Sequence, residues 1–236
     1  NLLVESVLIP TKSRTTACIS SQVGCSLDCD FCATSKMDRI RNLNPDEIYD
    51  QAVTINSQSI KYHGRPISNI VFMGMGEPLL NYSNVIKGID KITSKEGLGM
   101  SPKRITVSTS GISKLIIKMA DDNVKFNLAI SLHSAIEKTR NKIMPFSKKF
   151  PLENLLEAVK YWYLKTNKIV TYEYIVWEGI NDDEDHINAL VNFCKSSPSK
   201  VNLIEYNTTD NNFFRSAKNK AIEEYVNKLE KNKIPV

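Results

Sequence analysis

Four of the five cysteines in this chain lie within fifteen residues, from Cys18 to Cys32. The last three of them, Cys25, Cys29 and Cys32, follow the spacing C-x3-C-x2-C, which lets their thiolates converge on one metal centre. A structural zinc ion takes four protein ligands, whereas an iron–sulfur cluster held by three cysteines leaves one iron open to a substrate. The triplet therefore favours an iron–sulfur cluster. A zinc site completed by a distant histidine and a loop of incidental thiols are the alternatives.

The elements that must position these cysteines alternate between strand and helix patterns along the whole chain. The clearest helix start is Asn44-Pro45-Asp46-Glu47, which combines an N-cap residue, a proline at the first helical position and acids in the first turn. Strands are predicted over 16–20, 68–73, 104–108, 125–131, 169–176 and 201–206. Helices are predicted over 45–57, 83–95, 112–121, 152–165, 183–194 and 217–232. This alternation is typical of parallel βαβ units.

The number of predicted strands favours an open or partial barrel over a closed barrel of eight strands. A Rossmann-like sheet is the alternative, but the first strand lacks the Gly-x-Gly-x-x-Gly turn of that fold. In parallel β/α folds the chemistry gathers at the carboxyl ends of the strands, and the cysteine loop follows the first strand. The polar residues that follow later strands are expected on the same rim: Gly74, Gly76, Glu77, Ser108, Ser131, His133 and Asn207.

The composition is that of an ordinary globular protein. With 236 residues, 42% of them hydrophobic and 24% charged, the chain can bury a full core, so one domain over 1–236 is predicted. No run approaches the ~18 consecutive apolar residues of a membrane span. The odd number of clustered cysteines fits the reducing cytoplasm better than a disulfide framework. The net charge of +5 is compatible with a polyanionic partner.

The cysteine triplet, with Phe31 directly before its third member, resembles the signature of the radical S-adenosylmethionine (SAM) superfamily. Longer runs resemble the RNA adenine methyltransferases of the RlmN/Cfr type: Cys18-Ile-Ser-Ser-Gln-Val-Gly-Cys25, Phe-Met-Gly-Met-Gly-Glu-Pro-Leu-Leu-Asn at 72–81, Ser108-Thr-Ser-Gly and Ser131-Leu-His. The resemblance covers nearly the whole chain in one order. It implies an α/β fold of the radical-SAM partial (β/α)6 TIM-like barrel type. The N-terminal helical domain of such relatives is not matched here, and we expect the chain to be a fragment.

The resemblance also implies the cofactors and the residues that hold them. Cys25, Cys29 and Cys32 would bind a [4Fe–4S] cluster whose open iron takes the amino and carboxylate groups of SAM. Electron transfer would then split SAM into methionine and a deoxyadenosyl radical. The residues matching family positions that contact SAM are Gly76, Glu77, Ser108, Ser131, Leu132, His133 and Asn207. Without the resemblance, the glycines would indicate a turn, and His133 a satisfied histidine at the rim.

Two further residues match catalytic positions of the family. The thiol of Cys18 would resolve a protein–RNA adduct, forming a transient disulfide with a methyl-carrying cysteine, and Glu5 would be the proton acceptor. Without the resemblance, Cys18 would be interpreted as a small buried hydrophobic residue and Glu5 as a solvated carboxylate at a strand edge. The family's methyl-carrying C-terminal cysteine has no match. Cys194 follows Ile187, Leu190 and Val191 at helical spacing, so we expect it in the core. As written, the chain is expected to cleave SAM without completing methyl transfer.

The function that follows is methylation of carbon 2 of an adenine in 23S rRNA and in tRNA. A Cfr-like methylation of carbon 8 and a non-catalytic RNA-binding module with a structural metal site are the alternatives. A monomer, an electron donor such as flavodoxin and a cytoplasmic location are expected, with no membrane contact. The RNA-facing segment is predicted to be a basic run that borders the rim, unless it is only a solvated face: Lys138, Arg140, Lys142, Lys148 and Lys149.

Overall fold

Strands and helices alternate along the chain in a computed structural model, which describes residues 2–207 and 213–236. The chain divides into two compact units. The first comprises Asn1–Ser26, Thr34–Thr109 and Lys125–Asn127. The second comprises Leu27–Ala33, Ser110–Val124 and Leu128–Val236. One domain over 1–236 stays a prediction, because a division into compact units does not decide whether each of them folds alone.

The first unit is built on a sheet with two helices. Its strands are β1 (Val7–Pro10), β2 (Thr15–Cys18), β3 (Gln22–Val23), β4 (Arg41–Asn42), β5 (Asn69–Phe72) and β6 (Ile105–Thr109). β1 pairs antiparallel with β2, whereas β2, β5 and β6 follow in parallel. β3 and β4 form a separate antiparallel pair. The carboxyl ends of β2, β5 and β6 therefore lie at one edge of this sheet.

The two helices of the first unit are α1 (Pro45–His63) and α2 (Tyr82–Thr93). α1 begins as predicted, because the side chain of Asn44 accepts from the Glu47 N–H and the Glu47 carboxylate accepts from the Asn44 N–H. It extends six residues beyond the predicted end at 57, up to Gly64 in the left-handed conformation (φ 65°). Residues 58–63 contain neither proline nor glycine, so the helix continues until Gly64, the first residue that favours a helix end.

The second unit contains three strands and five helices within the described ranges. The strands are β7 (Asn127–Ser131), which enters this unit at Leu128, β8 (Val170–Ile175) and β9 (Ser199–Ile204). The helices are α3 (Ser113–Asp121), α4 (Glu137–Ile143), α5 (Leu152–Thr166), α6 (Glu184–Lys195) and α7 (Asn219–Lys231). The strands pair in parallel, β7 with β8 and β8 with β9.

Alternate residues of β8 build the core of the second unit. Tyr172 and Tyr174 are fully buried on one face, where their rings contact Phe193 of α6 (5.4 Å between centroids) and Tyr225 of α7 (5.5 Å). The residue between them, Glu173, points to the opposite face of the sheet. The predicted core position of Cys194 is confirmed, because only 4% of that residue is exposed.

The predicted α/β class with parallel strands is confirmed. Four elements were not predicted: the strands β1, β3 and β4 and the helix α4. β1 precedes the first predicted strand; it is a short edge strand ending in Pro10, which leaves no alternating pattern to detect. α4 lies in a stretch that was predicted to be a basic loop. Its start carries no sequence signal, because the N-cap residue is Ile136, which has no side chain that can cap a helix. Across the described ranges, no helix is both long and apolar enough to span a bilayer.

Candidate functional site

Tight turns shape the cysteine loop on both sides of the division between the units. In the first unit, Gly24 has φ 75°, and a Cβ there would lie 2.1 Å from the carbonyl oxygen of Asp38. Only glycine can therefore adopt the turn directly before Cys25. The Cys25 N–H donates to the Met37 carbonyl (3.3 Å). In the second unit, the Cys32 N–H donates to the Cys29 carbonyl (3.1 Å), which brings these two residues together in one turn.

An aromatic cluster anchors the part of the loop that belongs to the second unit. The ring of Phe31 lies 4.9 Å from the ring of His133 and 5.0 Å from Trp177. Cys29 and Phe31 pack against a buried hydrophobic group. That group consists of Ile143, Met144, Trp177, Tyr206 and Phe214. The aromatic residue before the third cysteine is therefore a packing residue that fixes the loop against this core.

A single metal ion requires ligands that converge tightly, and the described residues offer no group of three His, Cys, Asp or Glu side chains arranged in that way. A cluster of several irons and sulfides is wider than one ion, so its ligands stand further apart. Cys25, Cys29 and Cys32 are all partly exposed.

The segment from Gly74 to Glu77 is bonded to the residues that follow β2. The Gly74 N–H donates to the Ile19 carbonyl (3.1 Å), and the Met75 N–H donates to Ser20 Oγ (2.8 Å). The Met75 carbonyl accepts in return from the N–H groups of Ser21 (2.9 Å) and Gln22 (3.2 Å). Two stretches more than fifty residues apart in sequence thus form one structure at the carboxyl ends of β2 and β5.

Gly76 and Glu77 complete this segment. Gly76 has φ 93°, and a Cβ there would lie 2.5 Å from the Cβ of Gln22. The Glu77 N–H donates to Gln22 Oε1 (2.9 Å), and its own Oε1 accepts from the Leu79 N–H (3.0 Å). Glu77 is only 2% exposed and caps the short 3-10 turn Pro78–Asn81. The cap holds the carboxylate in one orientation.

Glu5 and Cys18 lie at the same end of β2. The Glu5 carbonyl accepts from Ser20 Oγ (2.6 Å), while the side chain of Glu5 belongs to an exposed residue. Cys18 is a partly exposed free thiol opposite Val7 of β1. Burial raises the pKa of the Cys18 thiol, and a hydrogen bond with the Met73 backbone opposes that shift. The thiol is therefore protonated at neutral pH.

His133 follows β7 with a left-handed backbone (φ 54°) and is 4% exposed. Its Nδ1 accepts from the Ile175 N–H (3.2 Å), so the ring proton resides on Nε2. Burial, assisted by the charge of Arg140, lowers the pKa of His133 to about 3. The imidazole is thus neutral at physiological pH and offers one N–H donor.

The other predicted SAM contacts lie at strand ends. Ser131 is the last residue of β7 and pairs in register with Glu173, whose carbonyl accepts from the Leu132 N–H (3.1 Å). Ser108 lies in β6 of the first unit and is buried. Asn207 follows β9, is exposed, and directly precedes residues outside the described ranges. In the first unit, hydrogen bonds join the segment from Gly74 to Glu77 to the residues that follow Cys18. In the second unit, Ser131, Leu132 and His133 are consecutive at the end of β7. Asn207 has no described contact with either set.

One residue of the predicted RNA-facing run is placed differently. Arg140 was expected on the surface, but it is completely buried and donates to backbone carbonyls of Ser110, Ser131 and Leu132. Its position four residues after Ile136 and three before Ile143 puts it on the apolar face of α4. This spacing indicates burial of Arg140, but the neighbouring lysines gave the segment the charge pattern of an exposed surface.

A scan against family models matches residues 19–191 to the Radical SAM superfamily. The "Probable dual-specificity RNA methyltransferase RlmN" of Flavobacterium psychrophilum is 66% identical over 233 residues, which cover 99% of this chain and 67% of that protein. The protein of the same name from Christiangramia forsetii is 64% identical over 235 residues, which cover 100% of this chain and 67% of that protein. This chain therefore spans about two thirds of the length of these curated relatives.

Solved structures show the same similarity. A radical SAM methyltransferase from Sphaerobacter thermophilus superposes with a TM-score of 0.94 at 34% identity, covering 98% of this chain and 68% of that one. TYW1 with a lysine–pyruvate adduct shares only the fold, with a TM-score of 0.60 at 18% identity over 92% of this chain and 73% of that one. The predicted fold of the radical SAM type is confirmed by these matches.

Proposed function

This chain belongs to the RlmN family of radical SAM RNA methyltransferases, and from this membership we propose that the whole protein methylates carbon 2 of an adenine in 23S rRNA and in tRNA. The observation that carries the proposal is the joint segment at the ends of β2 and β5. There the Ser20–Gln22 stretch and the Gly74–Glu77 stretch share backbone hydrogen bonds, and both stretches are motifs of the resemblance.

The residues present fit the cofactors that the radical SAM family uses, an iron–sulfur cluster and SAM. Cys25, Cys29 and Cys32 place three thiols within eight residues of chain. Gly24, directly before Cys25, is required for the turn into this loop, because a Cβ there would collide with the Asp38 carbonyl oxygen. We assign these cysteines to a [4Fe–4S] cluster. When bound, such a cluster supplies the electron that cleaves SAM.

The chain's own residues would orient SAM by hydrogen bonds and charge. The capped carboxylate of Glu77 suits an ammonium group, and the backbone at Gly76 allows close approach of a ligand. In the second unit, the neutral His133 ring has a donor at Nε2, and Ser131 and Leu132 stand beside it. Because the pKa of His133 lies near 3, the ring keeps this donor throughout the physiological pH range.

Cys18 and Glu5 are assigned to the later steps. The thiol of Cys18 would resolve the adduct between a methyl-carrying cysteine and RNA, forming a disulfide with that cysteine. Its raised pKa means that a base must take its proton before it attacks. Glu5, proposed as the proton acceptor of the reaction, is held at the same strand end by its bond with Ser20.

The nucleosides formed by the whole protein test this function. Incubated with SAM, a reductant and unmodified rRNA or tRNA, it is expected to produce 2-methyladenosine, identified by mass spectrometry against synthetic standards. Cys18→Ala is expected to lower turnover at least about a hundredfold, since loss of an essential catalytic group typically costs several kcal/mol. Cys194→Ala, which removes a buried thiol outside the site, should retain activity.

Other products would redirect the proposal. Formation of 8-methyladenosine would assign the Cfr-like reaction instead. Absence of both methylated nucleosides, together with intact SAM and bound RNA, would indicate a non-catalytic RNA-binding module. A product from rRNA and none from tRNA would restrict the substrate to rRNA.

We further propose that RNA contacts the basic surface around α4 and the 3-10 turn Pro145–Lys149. Its exposed members are Lys138, Lys142, Lys148 and Lys149. Aromatic rings lie among them: Lys149 Nζ is 5.7 Å from the ring centroid of Phe146, which itself lies 5.2 Å from the ring of Phe150. Lysines with interleaved aromatic rings suit phosphates and unstacked bases. A flavodoxin-like electron donor, a monomeric state and a cytoplasmic location complete the proposal.

Reversing two charges on this surface should weaken RNA binding. The double variant Lys148→Glu, Lys149→Glu is expected to lower affinity for a substrate RNA at least about tenfold at low salt and to reduce the salt slope by about 1 per lysine. Fluorescence anisotropy across a salt series measures both effects. Lys160→Glu, Lys165→Glu is the matched control, since it makes the same charge change on exposed positions of α5. Equal affinities for the two variants would place the RNA elsewhere.

A further inference from the structure

Arg140 is a buried charge with an incomplete set of partners. It is 0% exposed, and its Nε donates to the Leu132 carbonyl (3.2 Å). Its Nη2 donates to the carbonyls of Ser110 (2.6 Å) and Ser131 (3.4 Å). Its Nη1 has no hydrogen-bond partner among the described residues, although it is fully enclosed by protein. Neutral carbonyls do not compensate a whole guanidinium charge, so this arrangement points to an anion nearby.

The cysteine loop is fixed to the helix that carries Arg140. The carbonyl of Ile143, at the end of α4, accepts from the Asp30 N–H (3.1 Å). Cys29 packs against the buried group that includes Ile143 and Met144, and the Met144 N–H donates to the Arg140 carbonyl (2.8 Å). Burial lowers the pKa of Arg140 to about 10, and the charges of Glu137 and Cys29 oppose that shift. Arg140 lies one helical turn before the Ile143 carbonyl that holds the cysteine loop.

We propose that Arg140 is a positioning residue whose positive charge stabilises the reduced state of the cluster held by Cys29. Its N–H donors also hold the backbone of Ser131 and Leu132 in place. The inference rests on the proposed function, since it needs the cluster. Reduction adds one negative charge to the cluster, and a fixed cation in a region shielded from water favours that charge. Arginine suits this task because it remains charged when buried.

The test is the reduction potential of the cluster in the whole protein, reconstituted anaerobically with iron and sulfide. Arg140→Gln removes the charge and keeps a donor. At a fixed potential it is expected to lower the ratio of reduced to oxidised cluster about tenfold, equivalent to about 59 mV for a one-electron couple. Electron paramagnetic resonance during a redox titration measures this ratio. Arg140→Lys, which keeps the charge, should restore the wild-type ratio to within about threefold.

Lys160→Gln is the matched control, because it removes an exposed charge from α5 of the same unit and should leave the potential unchanged. A wild-type potential in iron-loaded Arg140→Gln would overturn the proposal and leave Arg140 a purely structural role. If Arg140→Gln fails to load iron, Arg140→Met, which also removes the charge, takes its place: a tenfold lower ratio of reduced to oxidised cluster supports the proposal, and a wild-type ratio overturns it. Failure of the wild-type protein to bind iron would contradict the proposed function instead.

Discussion

Replacing Cys25 with alanine is expected to abolish both iron binding and SAM cleavage. Three protein thiolates are the minimum in the proposed site, so losing one leaves the cluster without a stable anchor. The wild-type chain, reconstituted anaerobically with iron and sulfide, should hold about four irons. With dithionite and SAM it should release deoxyadenosine, whereas Cys25→Ala should hold almost no iron and release none. Iron analysis and chromatography of the nucleoside measure the two effects.

The same chain offers a control for loss of a thiol. Cys194 is buried in α6 and belongs to the core, so Cys194→Ala should cost about 1 kcal/mol of stability and keep its iron. Burial raises the pKa of Cys194 to about 12, so this thiol is also a poor metal ligand at neutral pH. Iron retention by Cys25→Ala would contradict the assigned ligand set. Zinc in place of iron would contradict the cluster itself.

The parts of the site that local sequence encodes were predictable. The cysteine spacing, the glycines near position 75 and the strand–helix alternation each depend on neighbouring residues, and each appears where the sequence indicated it. The capping box of Asn44 and Glu47 is the clearest case, because the three-residue spacing itself forms the two hydrogen bonds. The sequence also indicated, through the parallel strands, that the residues after the first predicted strand and Gly74, Gly76 and Glu77 lie at the same rim.

The parts that depend on tertiary packing were not predictable in the same way. Arg140 is surrounded by lysines in sequence, and its burial depends on carbonyls of Ser110, Ser131 and Leu132 that only the fold brings to it. The role of Phe31 in packing against His133 is likewise set by two segments about a hundred residues apart. A basic run in the sequence predicts that the segment as a whole is exposed. Whether one arginine within it is buried depends on acceptors that only the folded chain brings to its guanidinium.

Replacing Gly76 with alanine is expected to lower the affinity for SAM at least about tenfold, equivalent to about 1.4 kcal/mol. The added Cβ would lie 2.5 Å from the Cβ of Gln22, whose Oε1 holds the Glu77 N–H at 2.9 Å. Moving Gln22 would therefore release the segment that presents the Glu77 carboxylate. Anaerobic equilibrium dialysis with labelled SAM on the iron-loaded whole protein measures the affinity.

Gly64 separates this steric effect from backbone strain. Gly64 also has positive φ (65°), but a Cβ there would meet no atom within 4 Å. Gly64→Ala should thus cost the same ~1–2 kcal/mol for a left-handed alanine and leave SAM affinity unchanged, because it lies at the end of α1. Equal losses of affinity in both variants would assign the effect to general destabilisation. Full affinity in Gly76→Ala would show that contact between this segment and Gln22 does not shape the SAM site.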